Sequence, residues 1–295
     1  MEGQFINFNG SIYPVGYPVM GIDNRGFRYG DGLFESMRLI HGEIKFLSFH
    51  IDRLQRGMKA LKLEGHSYID AYFLNEKVQE LLKKNKSGGN GRVRLTIFRD
   101  SGGLYSPASN QTGYAIELTN VEESTYIIHP KGLIADVFED VRKPVNSLSN
   151  FKTCNSLVYV MAGIYKNQNS LDEAFVLNQN GFLCEAISSN VFIIYDKKVY
   201  TPALSEGCIA GVMRSVVIRL AEENNIQVVE AQINPAVLRE ADEIFLTNAS
   251  KGIQWVMGYN KKRYFNETSK FLIEKLNTSS SRLSAFSANT RNTIL

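Results

Sequence analysis

Length, composition and charge set the first limits on this chain. It has 295 residues, of which 44% are hydrophobic and 21% charged, a composition typical of a globular protein with one large or two medium cores. Its 33 basic and 30 acidic residues leave a net charge of +3 without long blocks of one sign, so nucleic acid and membrane surfaces are not favoured as partners. No apolar run of about 18 residues and no signal-peptide pattern occurs. We expect a cytoplasmic protein that acts on small molecules.

The cysteines and histidines show no pattern of a disulfide framework or a metal site. Cys154, Cys184 and Cys208 are widely spaced and include no C-x-x-C pair, which is typical of a reducing compartment. The four histidines show no H-E-x-x-H or comparable spacing, so we predict that no metal is bound.

The N-terminal part of the chain predicts hairpins followed by helices. Turns at Asn9-Gly10 and His41-Gly42 each join two short strands. From Leu47 onward, apolar residues recur at helical spacing, which predicts a helix with one buried face. A second helix is predicted from an N-cap at Ser67 through Leu82.

The stretch GRVRLTIFRD alternates apolar and polar residues, which predicts a strand with one face in contact with water. Val93, Leu95 and Ile97 form its buried face, and Arg94 lies on the opposite face. A loop rich in glycine and serine follows, and then a strand over 114–118.

The second half of the chain predicts further strands and helices. Strands are expected over 126–138, 226–233 and 243–247, and three more across 173–202 with turns at Asn180-Gly181 and 196–198. Helices are expected directly after Lys152 and over 212–224, 234–240 and 271–276.

Helices alternate with strands that also pair as hairpins, so we predict a mixed α/β (α+β) fold. We expect a small α/β domain over 1–121 that carries Arg53, and a larger β-rich domain flanked by helices over 122–278 that carries Lys152 and Glu185. The Ser-, Thr- and Asn-rich tail over 279–295 is expected to be mobile. The dinucleotide-binding pattern G-x-G-x-x-G and the P-loop pattern are both missing, which disfavours those two kinds of site.

Three side chains have the chemistry of a reactive site. Lys152 stands between a polar turn and a predicted helix, and a nucleophilic lysine needs burial or nearby cations. Arg53 projects from the helix that begins near Leu47 and suits a phosphate or a carboxylate. Glu185 lies in an otherwise apolar strand, where a buried carboxylate needs a cationic or hydrogen-bonding partner.

A helix start adds a fourth feature. Gly211 precedes a predicted helix whose first amides, those of Val212 and Met213, can face an anion. Taken singly, each of the four features also has an ordinary explanation as a surface charge, an exposed ion pair or a plain helix start. Together they are the groups that pyridoxal phosphate requires: a lysine amine, an acid for the ring nitrogen, and an arginine with a helix N-terminus for the phosphate.

Five motifs carry a family resemblance: NRGFRYGDGLFESMR, HIDRL, FKTCN, CEAISSNVF and AGVMR. In this order and at these separations they resemble the class IV aminotransferase family, the fold-type IV pyridoxal phosphate enzymes. The resemblance extends from about Ile6 to Val256. It implies that the protein is a homodimer with pyridoxal 5'-phosphate as its cofactor.

The resemblance also implies residue roles. Lys152, with Asn155 completing the K-x-x-N motif, forms the internal aldimine and then moves protons at the substrate α-carbon. Glu185 pairs with the pyridine nitrogen, and Arg53 binds the phosphate together with the helix start. The cofactor-binding residues are expected to be Arg53, Glu185, Ser189, Asn190, Val212, Met213 and Asn248. A threonine that commonly adds a phosphate contact is absent, because Asn248 and Ala249 occupy its neighbourhood.

The sequence is compatible with two types of reaction found in the family, a lyase reaction and amino transfer. The turn in VRLTIFRDSGGLYS, the helix start AGVMR and the loop TNA resemble aminodeoxychorismate lyases, which release pyruvate and 4-aminobenzoate for folate synthesis. GLFESMR instead resembles branched-chain and D-amino-acid aminotransferases, which use 2-oxoglutarate. We favour the lyase, with Tyr29, Arg94 and Ala249 as substrate-binding residues, and Arg94 holding a carboxylate. A binding protein that has lost the cofactor chemistry is a further alternative, although Lys152 and Glu185 are both present.

Overall fold

The computed structural model describes residues 4–284, which divide into two compact units. Within the described residues, the first unit contains 4–125, the short segment Phe151–Asn155 and the last four residues, 281–284. The second contains Tyr126–Asn150 and Ser156–Ser280. No helix within residues 4–284 has both the length and the apolar character needed to cross a bilayer.

The first unit is built on one antiparallel sheet. Its strands are β1 (Phe5–Phe8), β2 (Ser11–Pro14), β3 (Gly32–Ile40), β4 (Glu43–Ile44), β5 (Gly91–Arg99) and β6 (Thr112–Asn120), and its helices are α1 (Arg25–Tyr29), α2 (Leu47–Ala60) and α3 (Ala71–Lys84). The strand order is β2-β1-β6-β5-β3-β4. Both predicted hairpins and the helix from Leu47 are confirmed.

The core of the first unit lies where α2 and α3 pack on the sheet. Val93, Leu95 and Ile97 have no exposed surface, which confirms the buried face predicted for β5. The start of α3 was predicted wrongly at Ser67. The structure uses Asp70 as the N-cap, because its carboxylate accepts a hydrogen bond of 2.8 Å from the amide of Phe73.

The segment that carries Lys152 packs with the first unit, whereas Lys152 was predicted to lie in the larger domain. The amide of Phe34 donates to the Lys152 carbonyl oxygen, and the amide of Cys154 donates to the Gly32 carbonyl oxygen, each over 2.9 Å. A Cβ on Gly32 would lie 2.3 Å from the carbonyl oxygen of Ile97. Glycine is therefore required where this segment, β3 and β5 come together.

The second unit contains a mixed sheet. Its strands are β7 (Leu133–Lys143), β8 (Glu173–Asn178), β9 (Leu183–Ala186), β10 (Asn190–Tyr195), β11 (Lys198–Pro202), β12 (Val228–Ala231), β13 (Glu243–Asn248), β14 (Gly252–Tyr259) and β15 (Lys262–Arg263), and its helices are α4 (Leu157–Gln168), α5 (Val212–Glu223) and α6 (Glu267–Ser284). The strand order is β12-β11-β10-β13-β14-β7-β8-β9, and β15 pairs with β14. The pairs β11–β12, β14–β7 and β7–β8 are parallel, so the predicted mixed α/β fold is confirmed.

Three details of the second unit differ from the predictions. Residues 173–202 form four strands instead of three, because a turn in which the amide of Ala186 donates to the Ser189 carbonyl oxygen separates β9 from β10. These two strands then take different partners, β8 and β13. Strands β14 and β15 were not predicted. The last helix extends to Ser284 and so takes in the first residues of the predicted tail, and the rest of that tail, 285–295, lies outside the described residues.

Candidate functional site

The reactive-lysine candidate and an arginine both contact the ring of Phe34, which lies on β3. The Nζ atom of Lys152 is 4.4 Å from the centre of the Phe34 ring, and the Cζ atom of Arg94 is 3.9 Å from the same centre. Arg94 lies opposite Ser36 in the β3–β5 pairing. Its side chain is 37% exposed, with its Nε atom 3.7 Å from a carboxylate oxygen of Glu117. A partly open guanidinium therefore lies near an amine, where it can bind a carboxylate.

Arg53 reaches a carboxylate that no sequence pattern singled out. Its Nε atom donates to Glu35 Oε1 over 2.8 Å, and its Nη2 atom donates to Glu35 Oε2 over 2.5 Å. Burial alone would raise the pKa of Glu35, but the charge of Arg53 and the hydrogen bond from His50 outweigh it and hold that pKa at about 2. Glu35 is therefore an anion at neutral pH, and its two oxygens fix the plane of the guanidinium.

His50 completes this buried cluster. Its Nδ1 atom lies 2.6 Å from Glu35 Oε2. Burial lowers the pKa of His50, and the charges of Arg53 and Lys152 lower it further against the opposing effect of Glu35. The ring is therefore neutral at neutral pH and donates from Nδ1 to the carboxylate. Its Nε2 atom is buried without a hydrogen-bond partner.

Asn155 of the K-x-x-N motif anchors the lysine segment to a tight turn. Its Nδ2 atom donates to the Gly30 carbonyl oxygen over 3.2 Å. Gly30 has a φ of 63° and caps α1, and a Cβ there would lie 2.9 Å from Asn155 Oδ1. The glycine and the asparagine of the two motifs are therefore required together.

Tyr29 lies with the first motif and the glycine-rich loop after β5. Its ring centre is 5.6 Å from that of Tyr105 and 4.9 Å from Arg25 Cζ. Arg25 also donates to the carbonyl oxygens of Gly102 and Leu104. The motif NRGFRYGDG thus shapes the loop beside Tyr29.

In the second unit, Glu185 has the partners that a buried carboxylate needs. Its Oε1 atom accepts from Lys143 Nζ over 2.5 Å and from the Tyr159 hydroxyl over 2.6 Å. Its Oε2 atom accepts from the amide of Ile209 over 2.8 Å. Sequence reasoning required a partner but found neither Lys143 nor Tyr159, since no periodicity links β7 or α4 to a position on β9.

Tyr159 acts as a hydrogen-bond donor in this cluster. Burial raises the pKa of its hydroxyl well above the ordinary value, and the charge of Glu185 raises it further. The phenol therefore keeps its proton at any physiological pH. Its hydrogen bond stabilises Glu185 as a carboxylate.

The start of α5 presents backbone amides without a side-chain cap. Gly211 is the N-cap, so Val212 and Met213 supply the first amides of the helix. Asn190 fixes the preceding loop, because its Nδ2 atom donates to the Ile209 carbonyl oxygen over 2.8 Å. A Cβ on Gly211 would lie 1.9 Å from Asn190 Oδ1. Asn190 thus fixes the loop that leads into the first turn of α5.

The remaining predicted residues of this unit form a second anchored loop. Asn248 Nδ2 donates to the Ser189 hydroxyl over 3.0 Å, and Asn248 Oδ1 accepts from the amides of Ser250 and Lys251. The Ala249 carbonyl oxygen accepts from the Tyr126 hydroxyl over 3.1 Å. Asn248 is therefore engaged in holding its own turn in shape.

Each unit contains groups that suit a part of pyridoxal phosphate: its carbonyl, its ring nitrogen or its phosphate. The first unit holds an amine, that of Lys152, with a buried arginine, Arg53, on the neighbouring helix. The second holds an acidic side chain, Glu185, with three of about four acceptor positions filled, which leaves room for one N–H donor. Its α5 terminus can bind a phosphate.

Comparison with known proteins agrees with this chemistry. A family model described as amino-transferase class IV matches residues 32–258. A Methanocaldococcus jannaschii protein, provisionally named as a branched-chain-amino-acid aminotransferase, is 31% identical over 84% of this chain and 85% of its own. The aminodeoxychorismate lyase of Bacillus subtilis is 27% identical over 83% of each chain.

A solved structure shows the same fold. The crystal structure of a Brucella abortus aminotransferase bound to pyridoxal phosphate superimposes with a TM-score of 0.83 at 22% identity, over 94% of this chain and 99% of its own. The match of the family model over most of the chain shows the family. The chain belongs to the class IV aminotransferases, enzymes that depend on pyridoxal phosphate.

Proposed function

We propose that this enzyme is a 4-amino-4-deoxychorismate lyase, which releases pyruvate and 4-aminobenzoate for folate synthesis. The observation that carries the proposal is that Arg94 and Lys152 both contact the Phe34 ring. Aminodeoxychorismate carries two carboxylates, and a partly open guanidinium that shares an aromatic ring with the proposed reactive amine suits one of them. Tyr29 and Ala249 are assigned to the same substrate.

The turn after β5 supports the lyase. In the stretch RDSGG, Arg99 donates to Asp31 Oδ2 over 2.9 Å, and Arg25 donates to the same atom over the same distance. Buried charge-assisted hydrogen bonds of this kind hold a loop in one conformation. The lyase-like turn is thereby joined to the motif that carries Tyr29.

The proposal gives the chain's residues separate tasks. Bound pyridoxal phosphate supplies an electron-accepting ring joined to the substrate amine. Lys152 binds the cofactor carbonyl and moves protons at the substrate α-carbon. Glu185 accepts the hydrogen bond of the ring nitrogen. The phosphate is assigned to Arg53, Ser189, Asn190, Asn248 and the amides of Val212 and Met213.

A second candidate is a branched-chain or D-amino-acid aminotransferase that uses 2-oxoglutarate. It is favoured by the stretch GLFESMR, in which Glu35 stands where the aminotransferase pattern F-E-G-I-R has its glutamate, and by the 31% identical relative. A carboxylate of 2-oxoglutarate would also suit Arg94.

One assay separates the two reactions. A single preparation loaded with pyridoxal phosphate is given aminodeoxychorismate, and separately a panel of L- and D-amino acids with 2-oxoglutarate. Release of 4-aminobenzoate without amino transfer supports the lyase. Rapid transfer from leucine, isoleucine or valine, or from D-amino acids, overturns it in favour of the second candidate. No visible cofactor absorbance after loading would instead support a binding protein without catalysis.

A chemical label tests the assignment of Lys152. Borohydride reduction of the loaded protein, followed by peptide mapping, should place the pyridoxyl group on Lys152. A label on another lysine overturns the assignment, whichever reaction the enzyme catalyses.

We also propose that the protein is a cytoplasmic homodimer. Leu157, Val160, Met161 and Ile164 form one stripe of α4, and Leu157 is 78% exposed. An exposed apolar stripe suits a second copy of the chain. The three cysteines are free, which suits a reducing compartment. Sedimentation of the wild type as a dimer, and of Leu157→Glu as a monomer, tests the interface.

A further inference from the structure

The carboxylate of Glu185 is held by two side chains that no motif includes. Lys143 Nζ and the Tyr159 hydroxyl both donate to Oε1, over 2.5 Å and 2.6 Å. The Lys143 and Glu185 side chains are 9% and 3% exposed, so their interaction is weakly screened by water. Lys143 Nζ also lies 5.7 Å from the centre of the Tyr159 ring. The three groups form one compact cluster.

Lys143 and Tyr159 both donate hydrogen bonds to the same carboxylate oxygen of Glu185. An ammonium in contact with a buried carboxylate favours its charged form, and a hydroxyl that donates to it does the same. The amide of Ile209 acts in the same direction on Oε2. Three donors thus bind the two oxygens of Glu185.

Hydrogen bonds to a carboxylate change the position of a proton that the carboxylate shares with a pyridine nitrogen. When a pyridine nitrogen and a carboxylate share one proton, the proton stays on the stronger base of the two. Donors to the carboxylate therefore move the proton onto the ring nitrogen, and their removal moves it toward the carboxyl oxygen. A ring that carries the proton is the better electron acceptor.

We propose that Lys143 and Tyr159 are positioning residues that keep the shared proton on the ring nitrogen of the cofactor by donating hydrogen bonds to the carboxylate of Glu185. The inference rests on the proposed role of Glu185 as the partner of that nitrogen. It holds for a lyase and for an aminotransferase alike, because both need the ring to accept electrons.

The other ionisable groups near this cluster are neutral thiols or have partners of their own. Burial raises the pKa of the Cys184 thiol and raises that of the Cys208 thiol to about 11, so both are neutral at neutral pH. Glu206 is bound by Asn178 and Gln232, and Arg214 is paired with Glu230 over 2.5 Å. The ion pair with Glu185 is made by Lys143.

The test measures the ring nitrogen itself. The protein is loaded with pyridoxal phosphate that carries ¹⁵N in its ring, and the ¹⁵N chemical shift is recorded at neutral pH. Reference values come from free pyridoxal phosphate in acid and in base. We expect the wild type to lie toward the protonated reference. We expect Lys143→Met and Tyr159→Phe each to move the resonance toward the unprotonated reference, with the larger shift for Lys143→Met because it removes a full charge.

Matched variants distinguish proton placement from damage to the fold. Lys143→Arg keeps the charge and should retain most of the wild-type shift. Tyr159→Phe removes a single hydroxyl, so the measurement remains decisive if Lys143→Met does not fold. Lys261→Met and Tyr195→Phe alter exposed residues of the same unit and should leave the resonance unchanged.

Glu185→Gln separates failure of the inference from failure of the proposed role. If Glu185→Gln moves the resonance while Lys143→Met and Tyr159→Phe leave it at the wild-type value, the inference is wrong and the role of Glu185 stands. If Glu185→Gln also leaves the resonance unchanged, Glu185 is not the partner of the ring nitrogen and both are overturned. Borohydride labelling of Lys152 in each variant shows whether the cofactor is bound at the same residue.

Discussion

Arg53 on α2 and Glu35 on β3 form a two-point ion pair, with Nε and Nη2 of the guanidinium 2.8 Å and 2.5 Å from the two carboxylate oxygens. Both side chains are buried. Removing two charges from water is costly, so such a pair adds little net stability even though losing one partner is severe. Its effect is to give Arg53 one orientation.

Removal of one partner should therefore cost more than removal of both. We expect Arg53→Met to lower the free energy of unfolding of the cofactor-free protein by about 3–5 kcal/mol, because it leaves a buried carboxylate without its cation. The double variant Arg53→Met with Glu35→Leu should be more stable than that single variant. Urea unfolding checks both. Additive losses from the two substitutions would show that the charges are not coupled.

Glu35 should make the protein sensitive to acid. Its pKa is lowered from 4.5 to about 2 in the folded chain, so its contribution is complete above pH 4.5 and is lost as the pH falls toward 2. The loss amounts to about 3 kcal/mol. Urea midpoints across this range should fall less steeply for Glu35→Gln than for the wild type. Equal slopes would mean that Glu35 titrates normally in the folded protein.

Gly211→Ala should destabilise the protein through a steric clash and not through backbone strain. Gly211 has an ordinary φ of −66°, but an added Cβ would lie 1.9 Å from Asn190 Oδ1. We expect a loss of about 1–3 kcal/mol in thermal unfolding, partly restored by Asn190→Ser in the same chain. Gly163→Ala is the matched control, because Gly163 lies in α4 with open space around it and alanine favours a helix. A Gly211→Ala protein as stable as this control would contradict the predicted clash.

The three thiols should differ in reactivity. Cys184 and Cys208 have no exposed surface, whereas Cys154 is partly exposed. Burial raises the pKa of all three, so reaction at about pH 8 should be slow and should follow access. Alkylation of the native protein with peptide mapping should label Cys154 first and the other two only after unfolding. Early labelling of Cys184 or Cys208 would be inconsistent with the buried core around Glu185.

Sequence periodicity correctly predicted the elements whose structure depends on packing against a single core. The alternation of Val93, Leu95 and Ile97 identified the buried face of β5, and the spacing of apolar residues identified α2, because both depend on one element packing against one core. The start of α3 was missed because Ser67 and Asp70 are both good caps. The choice between them depends on where the helix meets the sheet.

Sequence periodicity did not predict the contacts between residues that are far apart in the chain. Lys143 and Glu185 are 42 positions apart, and a register shift in the β7–β8 pairing precedes Lys143. The sequence implied that a buried Glu185 needs a partner, but only the sheet brings that partner to it. The family resemblance supplied the expected roles of Lys152, Glu185 and Arg53. It did not predict the contacts of Lys143 and Tyr159 with Glu185, or the ion pair between Glu35 and Arg53.

The position of Phe151–Asn155 in the first unit limits where the protein chain can be divided into fragments that fold. The chain leaves the first unit after residue 125, returns for five residues and leaves again. A fragment that ends at residue 125 would lack the carbonyl that the Phe34 amide binds and the amide that the Gly32 carbonyl binds. Separate expression of the two halves should therefore yield fragments that fold only when mixed. A permuted or split version of the enzyme would have to supply that short return segment to the first unit.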